Sequence, residues 1–341
     1  MKTRLALLLG ILLLPLFLSG VVCAGELEER ASLRQEVKHL FEKEEFSQLE
    51  NMANEQRDSG SRTSSGVWDL TTFYLGISSR FCCLKKDEKA WKQAELSLKK
   101  WEAAYPRSST AQLVHAKFLI SRGWRIRGEG YSNTVRDEDW KPFLEYMEKA
   151  RVYLEKHKKT ASADPHWYEL MEMIARVQSW PEHRFQALIS EASTRYPLFY
   201  QLYFAAIDYY VPKWGGSAEA VEAFARQAME KTKAQEGFGM YARIYWYAAQ
   251  TQYYDELFSD TLVDWPTMKL GIDDVLEKYP DQWNINNFTK FACMAQDKEK
   301  TASLADRITG PAILEVWGQP GYLAQCKRWA NGDPNTTWPS R

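Results

Sequence analysis

The chain has 341 residues, 45% of them hydrophobic and 14% aromatic, with a formal charge of -1. That length suffices for one large core or for a repeat array that grows without one. The charge balance excludes a basic nucleic-acid surface, and no basic tail points to a membrane surface.

The first segment reads as an export signal. Lys2 and Arg4 precede an apolar run from Leu5 to Leu18, Ser19-Gly20 breaks it, and Val22-Cys23-Ala24 supplies small residues for cleavage after Ala24. The run is too short for a membrane span, which needs roughly 20 apolar residues. A lipidated Cys23 would need a small residue before it, where Val22 stands. The expected mature protein is therefore exported, periplasmic or secreted, with no transmembrane span.

Past residue 24 the chain reads as helices almost throughout. Arg57 to Gly66 is expected to be a polar loop between two of them. Trp91, Ala94, Leu98, Trp101 and Tyr105 fall at steps of three and four, one face of a helix that Pro106 ends. Leu113, Ala116, Ile120 and Trp124 start the pattern again. Gly128 to Asp139 is a connector. Phe143, Met147, Ala150 and Leu154 follow, then Trp167, Leu170, Ile174 and Val177, then Phe185, Leu188, Ala192 and Tyr196. Three breaks look alike: Tyr105-Pro106, Tyr196-Pro197 and Tyr279-Pro280. Such prolines close helix pairs in tetratricopeptide-like arrays, and alanines such as Ala116, Ala206, Ala242 and Ala249 let helices approach. No run alternates strictly, so no sheet is expected. The fold class is all-α: a degenerate tetratricopeptide-like helix-pair array (an α-solenoid) of about 13 helices. It forms one domain over 25–331, with an irregular tail over 332–341. Cys293 and Cys326 lie together in the C-terminal quarter, where a disulfide between them can staple it; two buried free thiols are the alternative.

Several short motifs, in order, carry a resemblance. They are Phe46-Ser47-Gln48-Leu49-Glu50, Ser65-Gly66-Val67-Trp68-Asp69-Leu70, Arg127-Gly128-Glu129-Gly130-Tyr131 running to Thr134-Val135, and Asp164-Pro165-His166-Trp167-Tyr168. Last come Tyr196-Pro197 and Pro212-Lys213-Trp214-Gly215-Gly216-Ser217. With these the chain resembles a bacterial helical-repeat family called domain of unknown function 4034. The resemblance implies a fold and no chemistry.

Two loops are candidate binding elements. In the first, Arg125 and Arg127 flank the glycines before Tyr131, and guanidinium forks suit a carboxylate; arginines pairing between repeats are the plainer account. In the second, Ser217 suits a helix N-cap and Gly215-Gly216 a chain reversal. Trp214 is expected to tuck beneath that loop as a plug; otherwise it is a rim aromatic which, with Lys213, grips a partner. Asp137-Glu138-Asp139, Asp255-Glu256 and Asp273-Asp274 read as acids at helix starts, favoured by the helix dipole. The histidines are not paired at metal-binding spacing, and no nucleophile motif occurs. No catalytic residue, metal or cofactor is expected. The leading expectation is a non-enzymatic binding or scaffold module with a protein partner in the envelope. The alternative is a cell-wall glycan binder or hydrolase that uses an aromatic-lined groove with an acidic pair, and so needs exposed rings among Trp124, Trp167, Trp214 and Trp246.

Overall fold

The computed structural model describes residues 25–339 except 83, 85, 86 and 129. The expected leader, Cys83, Glu129 and the last two tail residues lie outside the described residues.

The chain is all-α. Its helices are α1 Glu26–Glu42, α2 Phe46–Ser59, α3 Asp69–Cys82, α4 Glu88–Ala104, α5 Ser109–Arg127 and α6 Asp137–Lys156. The single turn α7 Lys158–Ala161 precedes α8 His166–Val177, α9 Glu182–Arg195, α10 Gln201–Tyr210, α11 Ala218–Glu236 and α12 Gly239–Ala248. The single turn α13 Leu257–Asp260 leads to α14 Trp265–Lys278, α15 Gln282–Met294, α16 Lys298–Ala305, the single turn α17 Leu314–Trp317, and α18 Tyr322–Ala330. Among the described residues there is no strand, only an isolated bridge between Arg62 and Trp68. Among the described residues fifteen helices have eight residues or more, against an expectation of about 13.

The predicted faces form the core. Trp91, Leu98, Trp101, Leu113, Ala116, Ile120, Met147, Ala150, Leu170, Ile174 and Phe185 are all buried, as are Ala206, Ala242 and Ala249. The three Tyr-Pro breaks share one geometry. Tyr105, Tyr196 and Tyr279 cap α4, α9 and α14 with φ of -131°, -134° and -131° and ψ of 67°, 58° and 68°. A residue before proline is pushed from the helical region toward extended backbone, so one dipeptide ends three helices alike.

Helices α1, α3, α5, α8, α10 and α12 touch in sequence as one row, while α2, α4, α6, α9 and α11 pack on its members. The row does not stay open, because α15 also touches α1. The segment from residue 60 to 68 lies at this closure. Arg243 Nη2 of α12 and Asn284 Nδ2 of α15 both donate to the Ser65 carbonyl, at 2.8 and 3.1 Å. Arg62 Nη2 and Trp68 Nε1 both donate to the Leu198 carbonyl, at 3.0 and 2.6 Å. The expected loop over Arg57 to Gly66 is thus corrected: residues 57–59 finish α2, and Thr63 and Ser65 are buried.

The buried hydroxyls serve Glu26. Its carboxylate accepts from Thr63 Oγ1 (2.8 Å), Ser65 N (2.8 Å) and Ser65 Oγ (2.7 Å), and it pairs with Arg30. Burial alone would raise this carboxyl, but Arg30 and the Ser65 and Thr63 donors outweigh it and hold it below the ordinary carboxylate range. A depressed carboxyl contributes stability that is full above its unfolded value, about 4.3, and is lost as pH falls through the lower folded value. The urea midpoint should therefore fall less between neutral pH and pH about 3 in Glu26→Gln than in the unaltered protein, while Glu26→Gln starts lower at neutral pH. Parallel losses in the two proteins would show that Glu26 does not contribute to the acid limb.

Candidate functional site

The two candidate loops lie 82 positions apart between Tyr131 and Lys213, yet they meet. Helix α5 ends at Arg127, and Gly128 (φ 81°) turns the chain away. Arg127 Nη1 then donates to the Gly128 and Gly130 carbonyls at 3.1 and 3.0 Å, holding the connector back on its own helix. The same guanidinium lies 5.2 Å from the Trp124 ring, 5.2 Å from Trp140 and 5.9 Å from Phe143. Burial pulls the Arg127 pKa down, which still leaves an arginine charged.

The facing wall comes from the reversal between α10 and α11. Pro212–Trp214 is one 3-10 turn, closed by Trp214 N to Val211 O and Gly215 N to Pro212 O, both 3.0 Å. Gly215 has φ 93°, a conformation that only glycine adopts cheaply. Gly216 is required for another reason: a Cβ there would sit 1.8 Å from the Tyr210 carbonyl oxygen. Ser217 is the N-cap of α11, its side chain accepting from Ala220 N at 3.2 Å.

Trp214 differs from the expected plug. Its ring is half-buried, with the Arg176 guanidinium 4.8 Å from its centre. The space between α10 and α11 is already filled by the Tyr210 and Phe224 rings, stacked 4.9 Å apart and buried.

Lys213 Nζ stands 5.8 Å from the Tyr131 ring, which is 75% exposed. Together the loops enclose a cleft of about 430 Å³, within the usual range for ligand sites of about 300–1,000 Å³. Arg127, Tyr131, Lys213 and Trp214 all line it, and so do Trp124, Trp140, Phe143 and Val177. Trp124 and Val177 were predicted as core positions. They are only half-buried because the faces of α5 and α8 run out of the core into this cleft. No described residue lining it is a carboxylate. Sequence reasoning read Phe143 as a core position, which it is, and did not see that it and Trp140 also line the cleft; the signal was an aromatic pair opening the helix after the connector.

Arg125 does not join the cleft. It lines a neighbouring basin with Lys117, Met173 and Arg176, which shares Trp124 with the cleft. Burial depresses the Lys117 ammonium there, with Glu169 opposing the shift.

The acidic runs have structural roles. Arg136 pairs with Glu138 and Asp139 in the first turn of α6. Asp255-Glu256 forms a short 3-10 turn just before α13. Asp273-Asp274 is corrected: it lies toward the end of α14, where Asp273 pairs with Lys300 and Asp274 accepts from Phe238 N (2.6 Å) at the start of α12. Among the described residues no three His, Cys, Asp or Glu are placed to hold a metal, and no helix is long and apolar enough to cross a membrane.

Residues 33–168 match the family described as a domain of unknown function, DUF4034. The chain resembles that family as its motifs implied, and the matched stretch carries the first wall of the cleft. Tyr196-Pro197 and the Pro212–Ser217 loop lie beyond it. Neither a curated protein nor a solved structure matches the chain.

Proposed function

We propose that the chain is a non-enzymatic binding module of the bacterial envelope that takes an acidic segment carrying an aromatic residue, from a protein partner, into the cleft. The observation that carries this reading is the lining: five aromatic rings and two cations, contributed by loops remote in sequence, with no described carboxylate among them. Aromatic rings give large apolar contact at low entropy cost, and Arg127 and Lys213 favour an anionic group between them. Placement in the envelope rests on the export signal expected over residues 1–24. Hydrolysis of a glycan needs two carboxyls flanking the bond. Trp167 and Trp246 are buried, leaving only Trp124 and Trp214 of the four indoles half-open.

Peptide display on the immobilised protein tests the reading. Enriched sequences should carry Asp or Glu beside an aromatic residue. Their affinity should drop at least about tenfold in Lys213→Glu, since like charges across an interface are costly. The melting temperature should barely move, because Lys213 is a surface position. Enrichment without acidic residues, or equal binding by Lys213→Glu, would sink it. Retention of soluble cell-wall glycan in place of peptide would favour the glycan reading.

A further inference from the structure

A second cavity stands apart from the cleft and shares no lining residue with it. It lies where the helical row closes, between α1, α3, α10, α12 and α15, and has a volume of about 190 Å³. A cavity of about 150 Å³ already admits a benzene ring, so this one has room for a small molecule of about one ring. Leu75 on its lining is 50% exposed, which leaves it open to solvent on that side.

The lining is one-sided in charge. Arg30, Arg34 and Arg243 contribute to it, and no described lining residue is acidic. Arg30 is neutralised by Glu26. Arg34 is held only through Nε, which donates to the Arg30 carbonyl at 3.1 Å, and it has no ion pair among the described residues. Arg243 is 4% exposed and also has no ion pair there. It rests on the Ser65 carbonyl and lies 5.0 and 5.5 Å from the Tyr200 and Tyr279 rings. Its Nε and the Nε1 of Trp246, itself 6% exposed, are buried without a hydrogen-bond partner among the described residues. A buried guanidinium with no carboxylate in ion-pair contact, only Glu236 farther off, beside an indole N–H without an acceptor among the described residues, is a costly arrangement for folding alone. Both side chains line the cavity, whose wall also includes Thr71, Thr72, Gln201, Gln250, Phe204 and Tyr247.

We propose that this cavity binds a small organic anion: one carboxylate or phosphate group on an apolar or aromatic body of about one ring. The anionic group lies on the side of Arg34 and Arg243, where paired guanidinium N–H groups suit its oxygens. Its body lies against Phe204 and Trp246.

Benzoate and phenyl phosphate are the probes, with benzyl alcohol as the neutral counterpart and inorganic phosphate as the bare anion. Calorimetry and thermal shift on the purified protein should show one of the two aromatic anions binding and raising the melting temperature, with benzyl alcohol and inorganic phosphate at least about tenfold weaker. The stronger of the two anions identifies the headgroup as carboxylate or phosphate. Arg34→Gln, a half-buried position with no ion pair to lose, should keep the unliganded melting temperature and weaken binding at least about tenfold. Trp246→Phe keeps an aromatic ring at this position, though a smaller one, and removes the orphan N–H, and should also weaken it. The proposal is overturned if neither aromatic anion binds up to about 10 mM, if benzyl alcohol binds equally well, or if Arg34→Gln binds unchanged. Peptide binding at the cleft should survive Arg34→Gln, so the two sites fail separately.

Discussion

Asp164→Ala should lower the unfolding free energy by about 3–5 kcal/mol, the usual result of leaving one half of a buried ion pair behind. Asp164 is 0% exposed. Its Oδ2 accepts from Arg57 Nε at 2.8 Å and from the Tyr74 hydroxyl at 2.6 Å, and its Oδ1 accepts from His166 N at 2.9 Å. Arg57 in turn donates through Nη2 to Thr110 Oγ1 at 2.8 Å. One carboxylate thus joins α2, α3, α5 and the start of α8. Truncating it strands the Arg57 charge and the Tyr74 hydroxyl, and it removes the acceptor of the His166 N–H at the start of α8. Burial works against the Arg57 charge, but Asp164 overcomes this and holds its pKa above the ordinary arginine value. Adding Arg57→Met to Asp164→Ala should recover part of the loss, since removing both charges leaves no stranded charge, only the Tyr74 hydroxyl and the His166 N–H. Urea unfolding of the two single variants and the double variant measures this. A loss below about 1 kcal/mol in Asp164→Ala, the scale of an ordinary neutral hydrogen bond, would show that the network carries little of the stability.

All four side chains of this knot fall within the stretch that matches the family, and their role was hidden in the sequence. Asp164-Pro165-His166-Trp167-Tyr168 read as a motif without a mechanism, because Arg57 and Tyr74 lie 107 and 90 positions away. The helical faces were legible for the opposite reason. A period of 3.6 is local, so Trp91 through Trp101 and Leu113 through Ile120 declared their burial within a few turns. The Ser217 cap was legible in the same way.

The segment after α2 shows where composition misleads. Its serines and its threonine suggested a solvent-facing loop. Thr63 and Ser65 are instead buried around Glu26, where small hydroxyls satisfy a carboxylate that water would otherwise solvate. Both cavities depend on such long-range closure. Tyr131 and Lys213 were each visible as unusual loop residues, but nothing local showed that they face each other. Nothing local in the sequence sets Arg34 and Arg243 apart, and they come to one cavity where α15 returns to α1.

The C-terminal quarter depends on a covalent link whose loss should rival that of Asp164. Cys293 of α15 and Cys326 of α18 are disulfide-bonded, with Cα atoms 5.9 Å apart and 33 positions between them in sequence. Around the bond sits a small core of its own: Val316, Trp317, Tyr322, Leu323 and Trp329. Indole donors also tie it to α15. Trp317 Nε1 donates to Asn286 Oδ1 and Trp338 Nε1 to the Cys293 carbonyl, each at 2.8 Å; the second pins a tail that the sequence reading left free. Closing a loop of that length stabilises a fold by about 3–4 kcal/mol on the chain-entropy account. A cluster this small cannot replace that, so Cys326→Ser should release 309–339 before the rest unfolds. Hydrogen exchange should then accelerate across α17 and α18 while α3, α5 and α8 keep their protection. Alkylation of the non-reduced protein, followed by mass spectrometry, tests the bond itself. In material exported to an oxidising compartment both the Cys293 and Cys326 peptides should resist labelling, and after reduction both should label. Two labelled thiols in exported protein would remove the staple, and uniform exchange across the chain in Cys326→Ser would remove the claim that it acts locally.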